Sequence, residues 1–121
     1  MTSRPKVLIV DDDADQLQIL SAALEENYEV LQATDGLDAY LIACREQPAV
    51  AVVDIMMPLV DGWTVMRKLR TNPLTKDTRI VIATALDREQ VAADAAKLNV
   101  SMVLRKPIDL LQLKQAIDRL V

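Results

Sequence analysis

Three carboxylates, a hydroxyl and an ammonium stand at the ends of short apolar runs. Asp11 and Asp12 follow Val7-Leu8-Ile9-Val10, with Asp13 next to them. Asp54 closes Ala49-Val50-Ala51-Val52-Val53, and Thr84 closes Ile80-Val81-Ile82-Ala83. Lys106, followed by Pro107, comes one residue after Val100-Ser101-Met102-Val103-Leu104. This set can handle a metal ion and a phosphoryl group. Two like charges about 4 Å apart repel by roughly 4 kcal/mol at an effective dielectric near 20. Converging carboxylates must therefore raise a pKa or bind a cation. The chain has no histidine, and hard oxygen ligands favour Mg2+ or Mn2+ over zinc. A carboxylate can also serve as a covalent nucleophile.

Those side chains can meet only if the runs are parallel strands whose ends share one rim, where open α/β sheets bind ligands. Short β-branched runs bounded by turn signals read as buried strands. Helical patterns alternate with them. Leu17, Leu20 and Leu24 share one helical face behind the cap Asp13, which with Gln16 resembles a capping box. A more polar strand from Tyr28 to Ala33 fits a sheet edge, and Thr34-Asp35-Gly36 is a turn. Leu37, Tyr40, Leu41 and Cys44 predict the inner face of a second helix, ending at Gln47-Pro48. After the loop Met56-Met57-Pro58-Leu59-Val60-Asp61-Gly62, residues 63–70 form a helix with Val65, Met66 and Leu69 inward. A polar loop spans 74–79. Asp87 caps a fourth helix over 88–98 with Val91, Ala95 and Leu98 on one face. Asp109 caps a fifth, with Leu110, Leu113, Ile117 and Leu120 inward. Five strand-helix units predict an α/β fold, a doubly wound five-stranded parallel sheet with helices on both faces.

Composition narrows the function classes. A chain of 121 residues at 51% hydrophobic can bury one aliphatic core, and it has no Phe. A net charge of -4 argues against a direct nucleic-acid surface, since that affinity comes from cationic residues. The single cysteine, Cys44, excludes an internal disulfide and is expected in the core. No apolar run reaches the ~18 residues of a membrane span. Residues 1–6 lack the apolar stretch of a signal peptide, so the chain is expected to be cytoplasmic, with no membrane partner.

The acidic pair Asp11-Asp12, then Asp54, Thr84 and Lys106-Pro107 in this order resemble the receiver domain of two-component response regulators. Asp54-Ile55-Met56-Met57-Pro58, followed by Asp61-Gly62, is similar to that family's phosphoacceptor loop. The resemblance covers essentially the whole chain and implies one receiver domain over residues 1–121; no other stretch of the sequence resembles an attached effector domain. It implies the flavodoxin-like strand order 2-1-3-4-5 and a cis Lys106-Pro107 bond. It also implies a phosphorylation switch, not an enzyme beyond its own phosphorylation and dephosphorylation. Asp54 would accept the phosphoryl group. Mg2+, or Mn2+, would be held by Asp12, Asp54 and the Met56 backbone carbonyl, with Asp11 acting partly through water. Lys106 and Thr84 would hold phosphoryl oxygens, helped by backbone amides near Ile55 and Ala85. The donor would be a phosphohistidine on a sensor histidine kinase or a histidine phosphotransfer protein. The output would be a protein target on the face of helix 4, strand 5 and helix 5.

The chain departs from the family where Val103 replaces the usual aromatic three residues before the lysine. A stiff, short valine cannot gate as a ring does, so a modest conformational change over residues 85–105 is expected. Asn99 stands where glycine is common and tolerates positive φ. Met56 and Leu86 occupy positions that set dephosphorylation in the family, and both are apolar, which predicts slow self-hydrolysis. Trp63 is expected to pack under the phosphoacceptor loop. Rival readings are a degenerate receiver acting as a scaffold, a haloacid-dehalogenase-like phosphohydrolase using Asp11 and Asp13, and a flavodoxin-like FMN binder. Ala14-Asp15 stands where the hydrolase needs Gly-Thr, and acids stand where FMN needs Ser or Thr.

Overall fold

The computed structural model describes residues 4–57 and 60–121. Met1, Thr2 and Ser3 of the amino terminus, and Pro58 and Leu59 of the loop after Asp54, lie outside the described residues. The elements in chain order are β1 (Lys6–Val10), α1 (Ala14–Leu24), β2 (Glu29–Ala33), α2 (Gly36–Glu46), β3 (Val50–Asp54), α3 (Gly62–Thr71), β4 (Arg79–Thr84), α4 (Arg88–Lys97), β5 (Met102–Arg105) and α5 (Leu110–Leu120). The strands form one parallel sheet in the order β2-β1-β3-β4-β5. This is the doubly wound sheet expected from the alternation of runs, in the flavodoxin-like strand order that the family resemblance implies.

Alternate strand residues feed two core layers because successive side chains point to opposite faces. Leu8, Val10, Ala51, Val53, Ile80 and Ile82 face α2, α3 and α4 through Ala39, Ala43, Val65, Met66, Leu69 and Val91. Val7, Ile9, Val50, Val52 and Val81 face α1 and α5 through Leu17, Leu20, Leu24, Leu113 and Ile117. Each fully buried aliphatic side chain stabilises the fold by about 1.5–3 kcal/mol relative to exposure. β3 is buried at every residue, so its terminal Asp54 is fixed from both faces. The polar β2 lies at one edge, as expected, and β5 at the other; β5 starts at Met102, later than the run from Val100 suggests.

Aspartates cap the helices. Asp13 Oδ1 accepts from the amides of Asp15 (2.9 Å) and Gln16 (3.3 Å). Asp109 Oδ1 does the same for Leu111 (2.9 Å) and Gln112 (3.1 Å). Asp35 and Asp61 each accept from the third residue beyond, Asp38 and Thr64, at 2.8 and 2.9 Å. Each such cap satisfies amides that have no partner inside the helix. At α4 the Asp87 amide donates to Gln90 Oε1 (2.9 Å), and the Asp87 carboxylate sits 2.8 Å from Arg105 Nη1.

Two expectations about helix faces need correction. The buried residues of α2 are Gly36, Ala39 and Ala43, while Leu37 and Leu41 are exposed and Cys44 is only half-buried. The reason is close approach: a Cβ on Gly36 would lie 2.7 Å from Val60 Cγ1. In α5, Leu110 is exposed, and the inner face is Leu113, Ala116 and Ile117 with Leu120 at its margin. Asn99 adopts φ 55°, as its place in a glycine-like turn suggests, and Lys106-Pro107 is cis. Gln47 adopts φ 47° at the end of α2, which nothing in the sequence marked.

Candidate functional site

The parallel register brings the four polar strand ends to one rim. Asp11 follows β1, Asp54 ends β3, Thr84 ends β4 and Lys106 follows β5. Lys106 Nζ lies between two carboxylates, 2.9 Å from Asp11 Oδ2 and 3.1 Å from Asp54 Oδ2. The remaining oxygens are also engaged. Asp11 Oδ1 accepts from the Asp13 amide at 2.9 Å, and Asp54 Oδ1 from the Met56 amide at 3.1 Å. Asp11, Asp54 and Thr84 are buried, at 2%, 5% and 0% exposure, whereas Asp12 is exposed. The Lys106 amide donates to the Thr84 carbonyl at 2.7 Å, which fixes the lysine's backbone to the neighbouring strand end. Thr84 Oγ1 accepts from the Leu86 amide at 3.1 Å.

Burial raises the Asp54 pKa, against the charge of Lys106, the Met56 amide and the Lys106 hydrogen bond; the charge of Asp11 adds to the rise. Burial acts to lower the Lys106 pKa, but the hydrogen bond to Asp11 and the charges of Asp54 and Asp11 outweigh it, so the ammonium is held above its ordinary value. Carboxylate oxygens of Asp11, Asp12 and Asp54 lie within 4.8 Å of one another. Three carboxylates against one ammonium leave a formal charge of 3 - 1 = 2 negative, which a divalent cation matches. The donors are all hard oxygens, so they fit Mg2+ or Mn2+. Asp13 is a helix cap and stands outside this cluster.

Asp61-Gly62 is visible in the sequence as part of a motif, but what the glycine does there is not. A Cβ at Gly62 would lie 2.4 Å from the Asp54 carbonyl oxygen and 2.8 Å from Ile55 Cα. Its amide donates to the Ile55 carbonyl at 3.0 Å. Gly62 is therefore the residue pressed directly against the backbone of Asp54, while Trp63 packs on the core layer containing Ile55 and Met57 and lines the groove to α4 with Arg67, Asp94, Lys97 and Leu98. Arg105 was also missed; its pairing with Asp87 links β5 to the first turn of α4. Met56 is exposed and contributes its amide to Asp54.

A doubly wound sheet with an acid-lysine pocket at its carboxyl rim defines a class of signalling domain. The chain belongs to the response regulator receiver domain family, whose model matches residues 7–118. It is 40% identical over 105 residues to the response regulator PleD of Caulobacter vibrioides, covering 86% of this chain and 23% of PleD, so it spans about a quarter of that relative's length. It is 32% identical to protein PilH of Pseudomonas aeruginosa, covering 86% of this chain and 87% of PilH. Among solved structures it superimposes on Vibrio cholerae chemotaxis protein CheY4 with a TM-score of 0.92 at 27% identity, over 98% of this chain and 100% of that one. No described helix is long and apolar enough to cross a membrane.

Proposed function

We propose that the chain is a single receiver domain over residues 1–121 that works as a phosphorylation switch in the cytoplasm. The observation that carries this reading is Lys106 Nζ set between Asp11 and Asp54 beside a third carboxylate. Asp54 is the phosphoacceptor. One of its oxygens forms the new P–O bond while the P–N bond to the donor's imidazole breaks, and the imidazole leaves as its neutral or protonated base. The donor is a phosphohistidine on a sensor histidine kinase or histidine phosphotransfer protein. The reaction needs positioning and charge neutralisation more than bond-making groups. Lys106 supplies an ammonium to one phosphoryl oxygen, and the Thr84 hydroxyl serves another. Asp12, Asp54 and the Met56 backbone carbonyl would hold Mg2+ or Mn2+, with Asp11 acting partly through water. When bound, the ion neutralises developing charge on the phosphoryl oxygens. Because Lys106 already engages both buried acids, the phosphoryl group must redirect it from Asp11 or share it.

The output is altered binding of a protein target on the α4, β5 and α5 face, with no direct nucleic-acid or membrane partner. Val103 is half-buried against the core layer beneath α4 and has no ring to swing. The change over residues 85–105 is accordingly modest, and amide chemical shifts with and without beryllium fluoride measure it; a large rearrangement there overturns that part. The apolar Met56 and Leu86 slow self-hydrolysis. Incubation with Mg2+ and a small phosphodonor, followed by intact mass, tests the whole reading. A single phosphoryl adduct that disappears in Asp54→Asn supports it. Donor turnover that depends on Asp11 supports a phosphohydrolase instead, and no adduct with no beryllium fluoride effect supports a passive scaffold.

A further inference from the structure

Met56 combines two properties that no other described methionine shares. Its side chain is 61% exposed, against 8% for Met57 and 0% for Met66, and Met102 is half-buried. Its amide is bonded to the carboxylate of Asp54 at 3.1 Å. A large apolar side chain left in water, on a residue whose amide holds a buried carboxylate, is not there for the core. Its thioether is open to any two-electron oxidant, and sulfoxidation turns a flexible apolar group into a polar hydrogen-bond acceptor.

We propose that Met56 is a redox modification site that sets how long a phosphoryl group survives on Asp54. The inference rests on the reading of Asp54 as phosphoacceptor. The oxidant class is a peroxide. The sulfur lone pair attacks one peroxide oxygen, the O–O bond breaks, the S–O bond forms and water leaves; sulfur loses two electrons and peroxide gains them. A methionine sulfoxide reductase reverses the step. The sulfoxide brings hydrogen-bonded water to the rim two residues from Asp54, where the thioether brings none. Hydrolysis of the acyl phosphate is thereby accelerated, so oxidising conditions shorten the signal without changing the phosphoacceptor itself.

Hydrogen peroxide titration of the full chain, with peptide mass mapping, reads the order of oxidation. Intact mass then follows decay of the phosphoryl adduct before and after treatment. Met56 should be the first described methionine oxidised, and the adduct half-life should fall about threefold or more, a barrier change of roughly 0.65 kcal/mol. Met56→Leu, whatever its own half-life, should be indifferent to peroxide, which separates Met56 from Cys44 and the other methionines. Met56→Gln should show the short half-life with no peroxide at all. The proposal is overturned if another described methionine oxidises first, if the Met56 sulfoxide leaves the half-life unchanged, or if Met56→Leu shortens equally on treatment. Absence of an adduct in the untreated protein is a different result: it overturns the phosphoacceptor reading, while the oxidation order is still measured.

Discussion

At the carboxyl rim, Asp11, Asp54 and Thr84 are almost wholly buried, and each has a hydrogen-bond partner within 3.1 Å. A few residues further on, α4 buries only Val91 and Ala95, and its first turn is tied to β5 by Asp87 and Arg105, whose side chains are 58% and 61% exposed. The two regions share a strand end, since Thr84 leads into the α4 loop. They differ in what fixes them. The rim is held by short bonds among groups that are mostly buried, where geometry is over-determined. The fourth helix is held by a thin apolar stripe and contacts that water can replace. In the proposed switch, chemistry that must be positioned sits on the rigid side, and the element that would respond sits on the other.

The largest break of this contrast is Gly62→Ala. The new Cβ would lie 2.4 Å from the Asp54 carbonyl oxygen, and the obstacle is backbone, which cannot rotate away. Overpacking of this kind costs about 1–3 kcal/mol, and here it displaces Asp54, the proposed phosphoacceptor, as well. Urea denaturation should show the loss, and intact mass should show little or no adduct. A stable variant that phosphorylates normally would mean that the rim is less rigid than its bonds imply.

Lys106→Met is next. It leaves the Asp11 and Asp54 carboxylates buried side by side without their cation. Breaking a buried pair costs about 3–5 kcal/mol. The loss should fall toward the lower end, because a quarter of the Lys106 side chain stays in water. Added Mg2+ should recover part of it, read as a larger rise in Tm than the wild type shows.

Asp54→Asn should move stability the other way. Burial raises the Asp54 pKa above its ordinary value. A carboxyl whose folded pKa is raised contributes stability below its unfolded pKa, and that contribution is lost as pH rises through the folded value. Without metal, the Asn variant should therefore gain a few degrees of Tm at pH 7, and the gain should close as the pH is lowered through the carboxylate range. With Mg2+ the wild type should gain more than the variant. A gain that persists unchanged at low pH would assign the effect to packing.

The asymmetry between the two regions also governs what the sequence discloses. Strand ends and Asp caps are local signals, so Asp11, Asp54, Thr84 and Lys106 and the caps Asp13 and Asp109 were all legible. The partners of Lys106 lie 95 and 52 residues away and follow only once parallel pairing is assumed. The inner face of α2 was misread because large apolar residues mark it less well than small ones where backbones approach closely: Ala39 and Ala43 go in, and Leu37 and Leu41 stay out. Gly62 carried a motif signal without its reason, since a contact with a backbone carbonyl leaves no mark on hydrophobic periodicity. Arg70 left no signal either. Its guanidinium donates to the carbonyls of Leu98 (2.8 Å) and Thr78 (2.6 Å), tying the end of α3 to the turn after α4.

The smallest effect tests the weaker side of the contrast. Asp87 and Arg105 should be compared in a double-mutant cycle with Asp87→Asn and Arg105→Gln. Exposed ion pairs contribute about 0–1 kcal/mol, and both side chains here are more than half in water, so the coupling should fall below about 0.5 kcal/mol. Hydrogen exchange at the first turn of α4 should still quicken in either single variant, because that turn has few other anchors. A coupling well above 1 kcal/mol would mean that the pair is a firm strut. Signals from Thr84 would then have to reach α4 through a joint as stiff as the rim, and the absence of an aromatic at Val103 would matter far less than the packing of α4 suggests.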